Sequence, residues 1–228
     1  PEGHASGGHT RVKSSKFKVE KRLESFLLKI SCFERNALGS FMKLLIRGGS
    51  IAAGHGVIKC YADILVQSLL KRGIEVMNRS RHRETSFDGI RTFHDDIACF
   101  KPDFLLIHFG VDDAFQYVYR SEFQENLVQM VRLARAGFHP MIFLATSHTF
   151  DDPNDMDAVS VFYRSLRIVA SDLDCIFIPV HHYWAGYLQE HHLTNRDLVQ
   201  PDSRYPNEIG HRVMAEVMIG CLCNPMPP

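Results

Sequence analysis

Phe41-Met42-Lys43-Leu44-Leu45-Ile46-Arg47-Gly48-Gly49-Ser50 is the stretch on which the reading of this chain turns. An apolar run leaves the interior through two glycines and a serine, and a helix-like segment follows from about Gly56. Enzymes with α/β architecture often place a serine nucleophile on such a strand-to-helix turn, because the turn exposes the hydroxyl at the sheet edge. Small residues beside it permit strained backbone and the close approach of a second group.

Working outward, short apolar runs alternate with longer amphipathic segments. Strands are expected at residues 42–46, 74–77, 104–109, 141–145 and 175–180, and helices at 57–71, 88–99, 121–136, 155–173 and 208–221. This alternation is the signature of a parallel sheet covered on both faces. Right-handed crossovers put every strand's carboxyl end on one edge, where functional residues gather. That edge should collect Ser50, the loop after Met77, Gly110 to Asp113, Thr146 to His148 and the segment before the last helix.

Residues 1–14, rich in Gly, His and Ser at their start, read as a disordered tail or tag remnant. Over 15–37, apolar positions recur at three- and four-residue intervals, so residues 15–40 read as an amino-terminal helical extension. Residues 41–223 then form the main α/β domain.

The 228 residues carry 26 basic and 26 acidic side chains, so no net field draws the chain to nucleic acid or an anionic membrane. No apolar run reaches the roughly 18–20 residues that span a bilayer. Six scattered cysteines fit buried thiols in a reducing compartment, and a cytoplasmic location is the expectation. Neither the Cys221/Cys223 spacing nor the pairs His181-His182 and His191-His192 matches a metal-ligand pattern, so no metal or other cofactor is expected. Asp112-Asp113 and Asp151-Asp152 are more naturally helix caps.

Three blocks, "LLIRGGSIAAGHG", "LLIHFGVDDAF" and "DSRYPNEIGH", occur in that order on the expected elements, and the chain from about Phe41 to Cys221 resembles the SGNH (GDSL) hydrolases. The resemblance implies a three-layer α/β/α sandwich with a five-stranded, mainly parallel, flavodoxin-like sheet. It also implies ester hydrolysis by a serine nucleophile, with a small acyl ester as substrate. Ser50 matches the nucleophile and Asp202 the triad aspartate. Other positions depart from the pattern: Gly49 stands for the aspartate before the serine, Arg83 falls at or near the oxyanion glycine, Gly110 is kept, Asp112 replaces the oxyanion asparagine, and Tyr205 replaces the histidine.

These departures bear on the chemistry. Tyrosine, with an ordinary pKa near 10, is a poor base for activating a hydroxyl at neutral pH. An ionised Asp112 only accepts hydrogen bonds and would repel an oxyanion. His148, on the loop leaving the fourth strand, is the histidine best placed to replace the base; His108 and His211 lie less favourably. Arg79, Arg81 and Arg83 form a basic run at the mouth that could hold an anionic ligand. Two readings stay open: an ester hydrolase or acyltransferase in which His148 or an aspartate assists Ser50, and a catalytically inactive member that keeps the cleft for binding or scaffolding.

Overall fold

The first apolar run forms β1 (Met42–Gly48), whose Leu44, Leu45 and Ile46 are fully buried. A strand with both faces covered has no reason to alternate apolar and polar residues, and β3 (Phe104–His108) and β4 (Met141–Ala145) are likewise apolar along nearly their whole length. With β2 (Ile74–Asn78) and β5 (Ile176–Ile178), they make a five-stranded parallel sheet in the order β2-β1-β3-β4-β5. The computed structural model describes residues 41–223. The expected tail at 1–14 and the helical extension at 15–40 lie outside the described residues.

Eight helices are described. They are α1 (Tyr61–Leu70), α2 (Ser86–Phe100), α3 (Val111–Phe115), α4 (Arg120–Gly137), α5 (Pro153–Asp172), α6 (Val180–Glu190), α7 (Asn195–Leu198) and α8 (Glu208–Cys223). α4 packs against both α2 and α5, while α1 packs against α8, giving the helical layers of an α/β/α sandwich. Sequence dictates the sharper boundaries. Thr85 caps α2 in a reciprocal box with Asp88, and Asp152 caps α5 just ahead of Pro153, whose missing N–H costs nothing there.

Where the boundaries differ from expectation, a local cause is visible. The segment 57–60 is not helical, because Gly54 and Gly56 turn the chain at φ +78° and +75° and Asp63 closes the helix start by accepting the Cys60 amide at 2.9 Å. The fifth strand shrinks from 175–180 to three residues, since Pro179 brings no N–H to the ladder and α6 begins at Val180. Three helices, α3, α6 and α7, fall in segments read as loops. Cys99 is exposed on α2 rather than buried.

Register sets the site. Gly48 pairs with His108 and Ile46 with Asn78, so β1 and β3 end level, β2 ends two residues short, and the loops that leave β2 and β3 converge on Ser50. The approach is close: a β-carbon on Gly48 would lie 2.4 Å from the His108 carbonyl oxygen, so glycine is required there. No helix among the described residues is long and apolar enough to cross a membrane.

Candidate active site

Ser50 lies just past the end of β1 and is fully buried. Its hydroxyl donates to Asp112 Oδ1 at 2.7 Å, and its amide donates to Asp112 Oδ2 at 2.6 Å. The Arg83 amide in turn donates to Ser50 Oγ at 2.8 Å. The structure thus brings together Ser50, Gly49, Arg83 and Asp112. Both amides that the family resemblance would aim at an oxyanion already have internal acceptors. Arg83 has φ +59°, a left-handed conformation natural to the glycine that the resemblance puts near this position.

Asp112 enters the site from α3, whose N-cap is Gly110. Burial pushes its carboxyl pKa up, and the two bonds from Ser50 act against that rise. Its neighbour Asp113 is fully buried and accepts the Ser86 amide at 2.8 Å and the Gly110 amide at 3.0 Å, with a pKa raised to about 6 by burial. Asp113 therefore anchors the turn, whereas Asp112 occupies the reaction space. A cavity of about 10 Å³ beside Gly49, His108, Gly110 and Asp112 offers room for roughly one water and none for an acyl group.

The other expected site residues stand apart. His148 is fully buried, with Nδ1 against the Ser147 hydroxyl at 3.0 Å and Nε2 against the Ser203 carbonyl at 3.0 Å, so both ring nitrogens have partners other than Ser50. Its ring lies against Phe150 and Trp184, and burial lowers its pKa to about 4. With both ring nitrogens so engaged, the ring makes no hydrogen bond to Ser50. Asp202 is engaged by the Arg204 guanidinium at 2.6 and 2.9 Å, which draws its pKa down. Tyr205 makes no side-chain hydrogen bond among the described residues.

His108 and His211 belong to the interior. The Tyr61 hydroxyl meets His108 Nδ1 at 2.9 Å, and the Tyr61 amide donates to His211 Nδ1 at 3.2 Å. Burial lowers their pKa values to about 3 and about 4. In the basic run, Arg81 is spent on Glu84 and Asp96 at 3.1 and 3.2 Å. Asp152 caps a helix as expected, and no cluster able to hold a metal ion occurs among the described residues.

Two residues at this edge escaped the sequence reading. His55 and His82 stack with ring centroids 4.0 Å apart and an interplanar angle of 13°, and the Tyr205 ring meets His55 edge-on at 4.5 Å. Both imidazoles lie close enough to Asp112 to influence its titration, and His55 also influences Asp202. The signal was available: His55 sits between Gly54 and Gly56 on the loop leaving Ser50, and His82 precedes Arg83.

The parallel sheet, its helical layers and the serine turn at the carboxyl edge define a three-layer α/β protein with its candidate site at that edge. The GDSL-like lipase/acylhydrolase family profile matches residues 47–213, and the chain belongs to that family. Among solved structures, an acetylxylan esterase from Geobacillus stearothermophilus, Axe2, is similar at 21% identity and TM-score 0.70, covering 80% of this chain and 94% of that one. LAE5, an α/β hydrolase from the metagenome of Lake Arreo in Spain, is 22% identical with TM-score 0.68, over 81% of this chain and 98% of that one. TesA is 22% identical with TM-score 0.67, over 79% and 98%. The matches include catalytic mutants of Axe2 at a serine, an aspartate and a histidine. Comparison with curated proteins finds no match.

Proposed function

We propose that this family member does not cleave esters through a serine–histidine–aspartate triad, and that it keeps the cleft at the sheet's carboxyl edge as a binding site for a small acyl ester or an anionic ligand. The observation that carries the reading is Asp112 accepting both donors of Ser50, at 2.6 and 2.7 Å. A nucleophilic serine needs a base for its proton and free amides for the oxyanion. Here the Asp112 carboxyl group takes up both donors at the point where negative charge would have to form. Losing one oxyanion donor alone costs roughly 10²–10³ in rate, and losing the base costs several powers of ten more.

Labelling with a fluorophosphonate tests this. The wild-type chain should remain unlabelled while a reference esterase reacts to completion. Labelling at Ser50, or short-ester hydrolysis that disappears in Ser50→Ala, would overturn the reading.

One observation favours a second reading. At 2.7 Å, Asp112 Oδ1 is within proton-transfer reach of Ser50 Oγ, and burial makes its carboxylate more basic. Asp112 could then serve as the base of a serine–aspartate pair. Asp112→Asn separates the two readings, because the amide is the residue the family pattern carries and cannot take a proton. If Asp112 is the base, any hydrolysis vanishes; if Asp112 blocks the site, Ser50 becomes no less reactive towards the probe.

A further inference from the structure

We infer that the groove beside Ser50, on the side of α2, binds a small molecule through an oxyanionic group, a carboxylate or a phosphate, held by Arg83 and Arg91. The inference deepens the reading of this edge as a binding site. The groove has a volume of about 520 Å³, within the range of small-molecule sites, and is lined by Arg81, His82, Arg83, Glu84, Asp88, Arg91 and Thr92.

The charges in this groove are not equivalent. Glu84 is fully engaged, taking Arg47 at 3.0 Å and Arg81 at 3.1 Å. Arg81 spends its guanidinium on Glu84, Asp96 and the Thr92 hydroxyl. Asp88 caps α2, accepting the Thr85 hydroxyl at 2.8 Å. The guanidinium groups of Arg83 and Arg91, by contrast, have no ion pair or hydrogen bond among the described residues, and both side chains are exposed. Two unpaired guanidinium forks facing one concavity suit a planar or tetrahedral oxyanion, which each can bind in bidentate fashion.

Position favours recognition as well. Arg83 is fixed at its backbone: its amide donates to Ser50 Oγ at 2.8 Å, and its carbonyl accepts the Gln116 side chain at 2.9 Å. Its guanidinium therefore starts from an anchored point at the rim of the serine site. The stacked His82–His55 pair forms an adjoining flat aromatic wall, against which an apolar or planar part of the ligand can lie. A molecule with an acid at one end and an acyl or ring group at the other matches this arrangement.

The test is titration calorimetry of the full chain with two probes, inorganic phosphate and succinate, at low and at high salt. Binding of either should weaken roughly tenfold or more in Arg83→Gly and in Arg91→Ala, the loss expected for one charge-assisted hydrogen-bond fork. Arg83→Gly suits the left-handed backbone at 83 and so removes the guanidinium without straining the fold. Arg132→Ala, on α4, should bind as wild type does. Affinity should fall as salt screens the charges. Preference for phosphate or for succinate identifies which oxyanion the groove takes. No heat with either probe, or binding that survives both arginine substitutions, overturns the inference. The heat is read on the wild-type chain and on the two arginine variants, so this outcome is independent of whether Ser50 reacts with a fluorophosphonate.

Discussion

A β-carbon built on Gly49 would lie 2.1 Å from Asp112 Oδ2 and 2.6 Å from the Glu84 carbonyl oxygen, so the aspartate that the family pattern places before the serine has no room beside the Asp112 carboxylate. The two departures are thus one: a carboxylate is brought to the serine from position 112, and position 49 loses its side chain to admit it. Gly49→Ala should cost about 1–3 kcal/mol, the usual range for overpacking a close contact. In an Asp112→Ala background that cost should shrink, leaving only the clash with the Glu84 carbonyl. Urea unfolding of the two single variants and the double variant measures the coupling, expected at roughly 0.5 kcal/mol or more. Strict additivity would show that the two positions do not share one volume. Reactivity belongs to the same scale: Asp112→Asn together with Tyr205→His and Arg83→Gly restores the family's asparagine, histidine and glycine while leaving Gly49, and fluorophosphonate labelling of that triple variant should exceed that of wild type. If it does not, the three replacements are not what silences Ser50.

β1 carries a fully buried arginine one residue before the glycine pair. Arg47 donates to both Glu84 carboxylate oxygens at 3.0 Å, to the Gly89 carbonyl at 3.1 Å and to Thr92, and it pairs with Asp96 at 3.3 Å. This pins the strand that leads into Ser50 to the loop carrying Arg83 and to α2. Arg47→Ala should cost about 3 kcal/mol, the low end for a broken buried pair, because Glu84 and Asp96 would lose their buried partner and keep only the part-exposed Arg81. Arg47→Lys should recover little of it, since an ammonium cannot reproduce the fork. A loss under about 1 kcal/mol in denaturant unfolding would mean that the network contributes nothing net. Sequence pattern found the strands, whose apolar runs are forced by burial on both faces, and the long helices, whose periodicity is strong. It missed α6, where His181, His182 and Tyr183 interrupt the apolar spacing, and α3, only five residues long. It also could not tell that buried Arg47 and surface Arg81 are both used up by carboxylates while Arg83 and Arg91 are left facing solvent. That distinction depends on partners far away in sequence.

At the scale of the whole molecule, the same burial that shapes the sheet edge fills the interior with neutral histidines, and this sets the response to acid. His108, His148 and His211 are held at about 3, 4 and 4 against an ordinary 6.5, because burial penalises the imidazolium. A histidine whose folded pKa is depressed binds its proton first in the unfolded chain. Its contribution is therefore complete above pH 6.5 and is lost as pH falls from 6.5 towards 4. Asp113 acts in the opposite sense: its carboxyl, raised to about 6, takes up a proton in the folded state before the unfolded chain does, so stability is gained between about pH 6 and 3.8. Asp112 is raised in the same direction. With His181, also lowered to about 4, four histidines stand against two carboxyls, and the net loss of stability grows as pH falls below 6.5 until the unfolded histidines are nearly all protonated, around pH 5.5. There the slope should approach two to three protons, about 2.7–4.1 kcal/mol per pH unit. Urea unfolding at intervals from pH 7.5 to 5 measures it. Asp113→Asn removes one opposing proton and should keep the slope steep to lower pH. Stability that stays constant or rises from pH 7 to 5.5 would mean that these histidines are already solvated or charged within the fold, and that the interior beneath Ser50 is more open than its packing indicates.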